Sequence, residues 1–200
     1  MSEFWDQKYD CVDYFYGTRP NAFLTGQASR LPAGARVLVT GDGEGRNGVW
    51  LATRGLDVVS VDYSSRGLEK AARLAEAQGV HVAHRLADLT DWDWPRAEFD
   101  AVVTIFLHFP PELRKSVHDG MQGALRPGGL LIGELFHPDQ LGHPSGGPKV
   151  TEMLVTAEDV RADFPRLEWL LLEETGTELD EGPGHQGPGV VTRFVGRRND

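Results

Sequence analysis

Cysteine is nearly absent: among 200 residues only Cys11 occurs, so no disulfide can form within the chain. A reducing, cytoplasmic setting is the expectation. Cys11 also has no candidate base beside it, which argues against a nucleophilic role. Long apolar runs are missing, and none approaches the roughly 20 residues that a membrane helix needs. The opening Met-Ser-Glu-Phe-Trp-Asp lacks the charged-then-apolar order of a secretion signal. Positive charge is scarce, with 20 Lys and Arg against 30 Asp and Glu and a net charge of −10. A nucleic-acid surface needs a basic stripe, and Arg197-Arg198 at the chain end does not make one. His137 and His143 do not have metal-ligand spacing, and no third ligand accompanies them, so no metal is expected. What remains is an acidic protein whose expected partner is a small molecule. It is read as a monomer or homodimer bound neither to membrane nor to nucleic acid.

Glycine, by contrast, is abundant, and its density peaks in Ala35-Arg-Val-Leu-Val-Thr-Gly-Asp-Gly-Glu-Gly-Arg-Asn-Gly-Val-Trp-Leu-Ala52. The stretch reads as a short buried strand over 37–39, a glycine-rich turn, and a helix opening near Arg46. Such a helix aims its free N–H groups and positive dipole end back at the turn, which favours an anionic or polar ligand group there. Gly43-Glu-Gly45-Arg-Asn-Gly48 fits the dinucleotide fingerprint. Gly41-x-Gly43-x-Gly45 fits a different nucleoside-cofactor turn, and the stretch alone does not choose.

The flanking chain alternates strands and helices. Residues 1–18 are rich in aromatics, with Trp5 and Tyr9 on one helical face by i, i+4 spacing. They read either as a cap on the core or as a lid whose turn over 16–21 reaches a ligand. A helix over 21–30 follows. Strands are expected over 56–61, 80–86, 99–106, 130–136, 167–172 and 190–196, and helices over 66–77 and 111–125. Thr156-Ala-Glu-Asp159 has the capping-box pattern of a short helix. The segments 137–155 and 176–189 are rich in Gly and Pro and read as long loops. This alternation implies an α/β fold: a doubly wound, mostly parallel seven-stranded, Rossmann-like sheet in a single domain over 1–200. Residues 1–30 form its N-terminal helical cap or lid. The last two strands have no helix between them and imply an antiparallel C-terminal hairpin.

A parallel sheet closed by such a hairpin, with no second dinucleotide half, resembles the class I S-adenosylmethionine (SAM) methyltransferases. Val39-Thr-Gly-Asp-Gly-Glu-Gly-Arg-Asn47, Val61-Asp-Tyr-Ser64, Leu125-Arg-Pro-Gly-Gly129 and the N-terminal Trp-Asp…Tyr-Gly-Thr-Arg-Pro-Asn are similar to the branch that holds tellurite-resistance and thiopurine-type enzymes. The resemblance spans nearly the whole chain and implies SAM as cofactor. It implies that Gly41, Gly43 and Gly45 pack against the methionine part, Asp62 holds the ribose and Asp88 the adenine. Asp62 also stands at a strand's carboxyl end, where an acid accepts from both ribose hydroxyls. Leu89 offers apolar surface to the adenine ring. Asp42, Arg46, Asn47, Tyr63 and Thr104 complete the expected cofactor set. One departure is Val39, where an acidic residue two before the first glycine is common. Asp42 or Glu44 would have to replace it.

For the chemistry, Glu134, His137, His108 and His185 are the catalytic candidates, because they stand at strand ends or in the two late loops. Glu134 is an acid in an apolar strand, where burial raises the pKa unless it is paired. Methyl transfer to a thiol or chalcogen oxyanion needs little help from a base, whereas a hydroxyl or amine must lose a proton. A soft-nucleophile acceptor is the first expectation. The alternatives are an O- or N-acceptor on a small metabolite, or a non-catalytic SAM- or nucleotide-binding module.

Overall fold

The computed structural model describes residues 2–199. Helix α1 (Ser2–Tyr9) and α2 (Ala22–Gln27) precede β1 (Arg36–Thr40) and α3 (Arg46–Thr53). Next come β2 (Asp57–Asp62), α4 (Ser65–Ala77), β3 (Ala83–Leu86), β4 (Phe99–Ile105), α5 (Pro111–Ala124) and β5 (Leu125–Phe136). The chain then passes through α6 (Ala157–Asp163) to β6 (Leu167–Asp180) and β7 (Gln186–Arg198). The seven strands form one sheet in the order β3-β2-β1-β4-β5-β7-β6. Strands β1 to β5 are parallel, and β7 runs antiparallel to both β5 and β6. The expected doubly wound sheet with a C-terminal hairpin is therefore what the chain forms.

The central strands are apolar at successive positions because both faces are covered. Val37 and Val39 pack on one side with α2, α3 and α4, while Leu38 packs on the other with α5 and α6. Val103 and Val102 divide between the same faces. Period-two alternation thus feeds two cores from one strand. Among the described residues no helix is long and apolar enough to cross a membrane.

Two Gly/Pro segments differ from expectation. Residues 176–189 are mostly strand, since β6 and β7 stay paired from Leu167↔Arg198 to Asp180↔Gln186. Pairing of β7 with β5 ends at Phe136↔Val191, so the far end of β7 is a ribbon with β6 as its only strand neighbour. There Pro188 is tolerated, because a proline lacks the N–H that a central strand must donate. Residues 126–129, between the helix expected to end at 125 and the strand expected from 130, form a bulge inside β5: Leu125 pairs with Phe99 and the parallel register resumes at Ala101↔Leu130. Strand β3 is also shorter than the expected 80–86.

Candidate active site

The glycine turn connects β1 to α3 at the carboxyl edge of the sheet, where open α/β folds bind ligands. Gly43 has φ 55°, and a Cβ there would stand 2.6 Å from the Tyr9 hydroxyl oxygen. Only glycine allows α1 to close so tightly over the turn. Gly45 (φ 87°) is required for a different reason: its Cβ would meet Ala71 of α4 at 2.6 Å. Gly45 faces that helix and does not line the cavity that opens before the turn. Thr104, another expected cofactor residue, is buried in β4 and also stays off the cavity wall.

That cavity measures about 730 Å³ and takes its walls from α1, the glycine turn, the ends of β2 to β5 and the loop 144–149. Gly41, Gly43, Asp62, Tyr63, Asp88 and Leu89 line one half, and Arg46 and Asn47 border the turn. The Asp62 carboxylate accepts from Gly43 N at 2.8 Å and from Ser64 N at 2.9 Å. Burial raises its pKa, and these backbone donors oppose the rise. Asp88 Oδ1 accepts from Thr90 N at 2.9 Å, which holds the loop after β3 in place. Tyr63 is half-buried, and burial pushes its phenol up to about 12.

Asp42 and Glu44, the two possible replacements for the acid missing at Val39, are both committed elsewhere. Asp42 accepts from Gly48 N at 3.1 Å and from the Ser60 hydroxyl at 2.9 Å, beneath the turn. Burial pushes its carboxyl up to about 7, against the pull of those two bonds. Glu44 pairs with buried Lys70 and accepts from Tyr16 N. Lys70 also donates to the carbonyls of Cys11 (3.1 Å) and Asp13 (2.6 Å), so one ammonium ties the N-terminal segment to the turn.

The four catalytic candidates do not converge. Glu134 stands opposite Arg193 in the β5–β7 ladder, pairs with that guanidinium and accepts from Asn21 Nδ2 at 2.7 Å. It lies off the main cavity, so the acid in the apolar strand is a buried ion-pair member. Glu134→Gln is therefore expected to cost about 1–3 kcal/mol of stability by weakening a charge-assisted bond. Methyl transfer per folded molecule should stay within about twofold, a split that urea unfolding and initial rates measure separately. His137 also stays off the cavity wall, and its Nδ1 accepts from Asp139 N at 3.1 Å as the cap of a short 3₁₀ turn. His108 does line the cavity, but both ring nitrogens are used. Nδ1 donates to the Met153 carbonyl (2.9 Å) and Nε2 accepts from Phe136 N (3.2 Å). Burial brings its pKa down to about 4, leaving a neutral ring that fastens loop 137–155 to β5.

His185 is different. It stands in the β6–β7 turn, inside a box of Tyr16, Phe106 and Phe136 with ring centroids 4.5, 4.7 and 5.3 Å away. Its Nδ1 is buried without a hydrogen-bond partner among the described residues, 3.8 Å from Glu181 Oε2 and beyond hydrogen-bond reach, and no side chain or backbone group among them bonds its Nε2. Burial lowers the imidazole pKa, with Glu181 opposing. Burial would raise Glu181, but His185 and Arg46 outweigh it and hold that carboxyl at about 2. Arg46 reaches Glu181 at 2.6 Å, so the Gly-Arg-Asn turn supports the hairpin as well as the cavity.

Several wall residues escape sequence reading. Phe106 follows β4 with φ 53°, a left-handed conformation that is strained for a phenylalanine, and its ring stacks on Phe136 at 4.4 Å. A Cβ at Gly146 would stand 2.5 Å from His185 Cδ2, and one at Gly147 would stand 3.0 Å from Phe136, so these two glycines let the loop backbone lie against the imidazole and the Phe136 ring. Lys8 of α1 also faces the cavity. The Trp5–Tyr9 spacing hinted at this wall, but nothing local marked Lys8 or Phe106.

The strand order, with a glycine turn after β1 and an acid at the end of β2, is that of an α/β domain of class I methyltransferase topology. Comparison with known proteins agrees. Residues 37–129 match the family described as Methyltransferase domain. Thiocyanate methyltransferase 1 of Brassica oleracea is 33% identical over 137 residues, covering 66% of this chain and 58% of that protein. The tRNA 5-carboxymethoxyuridine methyltransferase of Escherichia coli (strain K12) is 29% identical over 162 residues, covering 74% of this chain and 61% of its own length. Among solved structures, TehB from Haemophilus influenzae superposes with a TM-score of 0.72 at 18% identity, over 99% of this chain and 67% of that one. This last likeness is one of fold. Residues 37–129 are thus similar to a methyltransferase domain, and the chain spans about three fifths of the length of these two relatives.

Proposed function

We propose that the protein transfers a methyl group from SAM to a small molecule bearing a soft nucleophile, a thiol foremost. The observation that carries this reading is His185: a neutral imidazole with an open Nε2, set in an aromatic box on the cavity wall. The residues present suit the cofactor. Asp62 at the end of β2 has lone pairs left for ribose hydroxyls, Asp88 can accept from an adenine amino group, and Gly41 and Gly43 bring the turn's backbone to the cavity wall. When bound, SAM supplies an electrophilic methyl on a sulfonium, so the hardest chemistry belongs to the cofactor. The chain's work is alignment, exclusion of water and removal of one proton.

In this reading His185 Nε2 takes the thiol proton as sulfur attacks, and the Glu181 carboxylate steadies the imidazolium that results. Phe106, Phe136 and Tyr16 keep bulk water from the thiolate, and their polarisable faces suit sulfur better than a strongly hydrated oxyanion. The Brassica relative, named for thiocyanate, supports an acceptor of this kind. The net charge of −10 disfavours a tRNA acceptor like that of the E. coli relative. A hydroxyl acceptor is the second reading, favoured by the carboxylate behind the imidazole. Of two conceivable counter-charges for an anionic acceptor, Arg19 is paired with Asp180 outside the cavity, whereas Lys149 lines it.

The test is S-adenosylhomocysteine release with matched acceptors: thiophenol, phenol, aniline and thiocyanate. Thiophenol is expected to exceed phenol at least tenfold in kcat/KM at equal concentration of the nucleophilic form. Turnover of phenol alone would replace the soft-nucleophile reading with the second one.

A further inference from the structure

A lysine ammonium withdrawn from water needs an anion or hydrogen-bond acceptors around it. Lys70 shows the usual arrangement, with Glu44 and three backbone carbonyls around its ammonium. Lys8 breaks the pattern. Its Nζ lies 4.7 Å from the ring centroid of Phe15, 4.8 Å from Trp5 and 5.2 Å from Tyr16, and it donates to the Tyr16 hydroxyl at 2.9 Å. No carboxylate comes within 4 Å of it among the described residues, although it faces a cavity in a protein of net charge −10. Cation–π contacts hold the ammonium in place. They do not use its N–H groups, and Tyr16 takes one of the three.

The position is informative. Tyr9, the next residue, rests on Gly43, and Tyr16 N is bonded to Glu44 of the same turn. Lys8 therefore faces the same cavity as the turn that opens α3, where backbone N–H groups already favour an anion. Arg46, beside the turn, is committed to Glu181, and Lys149 of the loop 144–149 lines the cavity as well. We propose that Lys8 is the anion-binding group of the N-terminal segment and closes that segment onto a carboxylate of the bound ligand. Two sources share this chemistry: the amino-acid tail of the adenosyl cofactor, and an acceptor that itself carries a carboxylate. Either way, α1 is held over the cavity more firmly when the anion is present. The inference rests on the cofactor reading of the cavity.

The experiment is calorimetric titration of wild type and Lys8→Met, a substitution that keeps the apolar stem. The ligands are S-adenosylhomocysteine and 5′-methylthioadenosine, which lacks the amino-acid tail. If the cofactor supplies the carboxylate, Lys8→Met loses about tenfold to a hundredfold in affinity for the homocysteine ligand, the usual worth of a charge-assisted bond. Affinity for methylthioadenosine stays within about twofold, and Lys8→Arg restores part of the loss. If the acceptor supplies it, both adenosyl ligands are unaffected, and with S-adenosylhomocysteine saturating, 4-mercaptobenzoate binding weakens while thiophenol binding does not. Equal losses for both members of each pair would make Lys8 a packing residue and overturn the proposal, as would no loss at all. Failure of wild type to bind either adenosyl ligand would instead remove the cofactor reading beneath it.

Discussion

Asp62→Ala is expected to lower affinity for S-adenosylhomocysteine by about a hundredfold or more, measured by calorimetry against wild type. Two losses combine. The carboxylate is the proposed acceptor for both ribose hydroxyls, and charge-assisted bonds contribute about 1.5–3 kcal/mol each, so losing two removes two decades or more in Kd. It also holds the glycine turn: without it, Gly43 N and Ser64 N lose their acceptor, and the turn over which Tyr9 closes is no longer braced. Asp62→Asn separates the contributions. One amide oxygen replaces two carboxylate oxygens, so part of the turn's support survives while the ribose contact is weakened. Unchanged binding in Asp62→Ala, with the protein folded by thermal melting, would place the nucleoside elsewhere.

The second large effect is expected at His185. His185→Gln should reduce kcat/KM for an alkanethiol, which keeps its S–H proton at neutral pH, by about 10²- to 10⁴-fold, the range that a positioned general base contributes, while thiophenol, already largely ionised, should lose much less. Thiocyanate has no proton to lose, so its turnover should change only a few-fold. A purely structural role for the imidazole would lower both alike. The pH dependence follows from the shift. Burial disfavours the charged ring, so its folded pKa lies below the ordinary histidine value of about 6.5. The base form then persists to lower pH, and the acid limb of kcat/KM for a thiol should fall below that value. In His185→Gln this limb should vanish and leave only the thiol's own ionisation. An acid limb unchanged in the variant would assign the proton to another group.

Much of the cofactor side was legible locally. A buried strand, a turn that needs glycine and a helix N-terminus are adjacent in sequence, so the ligand-facing backbone follows from one short stretch. Asp62 follows too, because a parallel strand of known start delivers its last residue to the same edge of the sheet. The acceptor side was not legible in this way. Its walls come from Tyr16, Phe106, Phe136 and His185, far apart in the chain and joined only by packing. Glu134 and His185 look alike as polar residues near apolar strands. The β5–β7 register turns Glu134 to Arg193, while the hairpin tip carries His185 into the aromatic box.

By itself, then, the sequence determined the alternation of strands and helices, the antiparallel finish and the cofactor edge, because periodicity and turn chemistry act over a few residues. The tertiary structure alone decided which of the candidate histidines enters the aromatic box, which glycine answers to a helix and not to the cavity, and that Lys8 faces the cavity with no carboxylate beside it among the described residues. These depend on the convergence of distant segments, and convergence is set by packing over long loops, which no local pattern encodes.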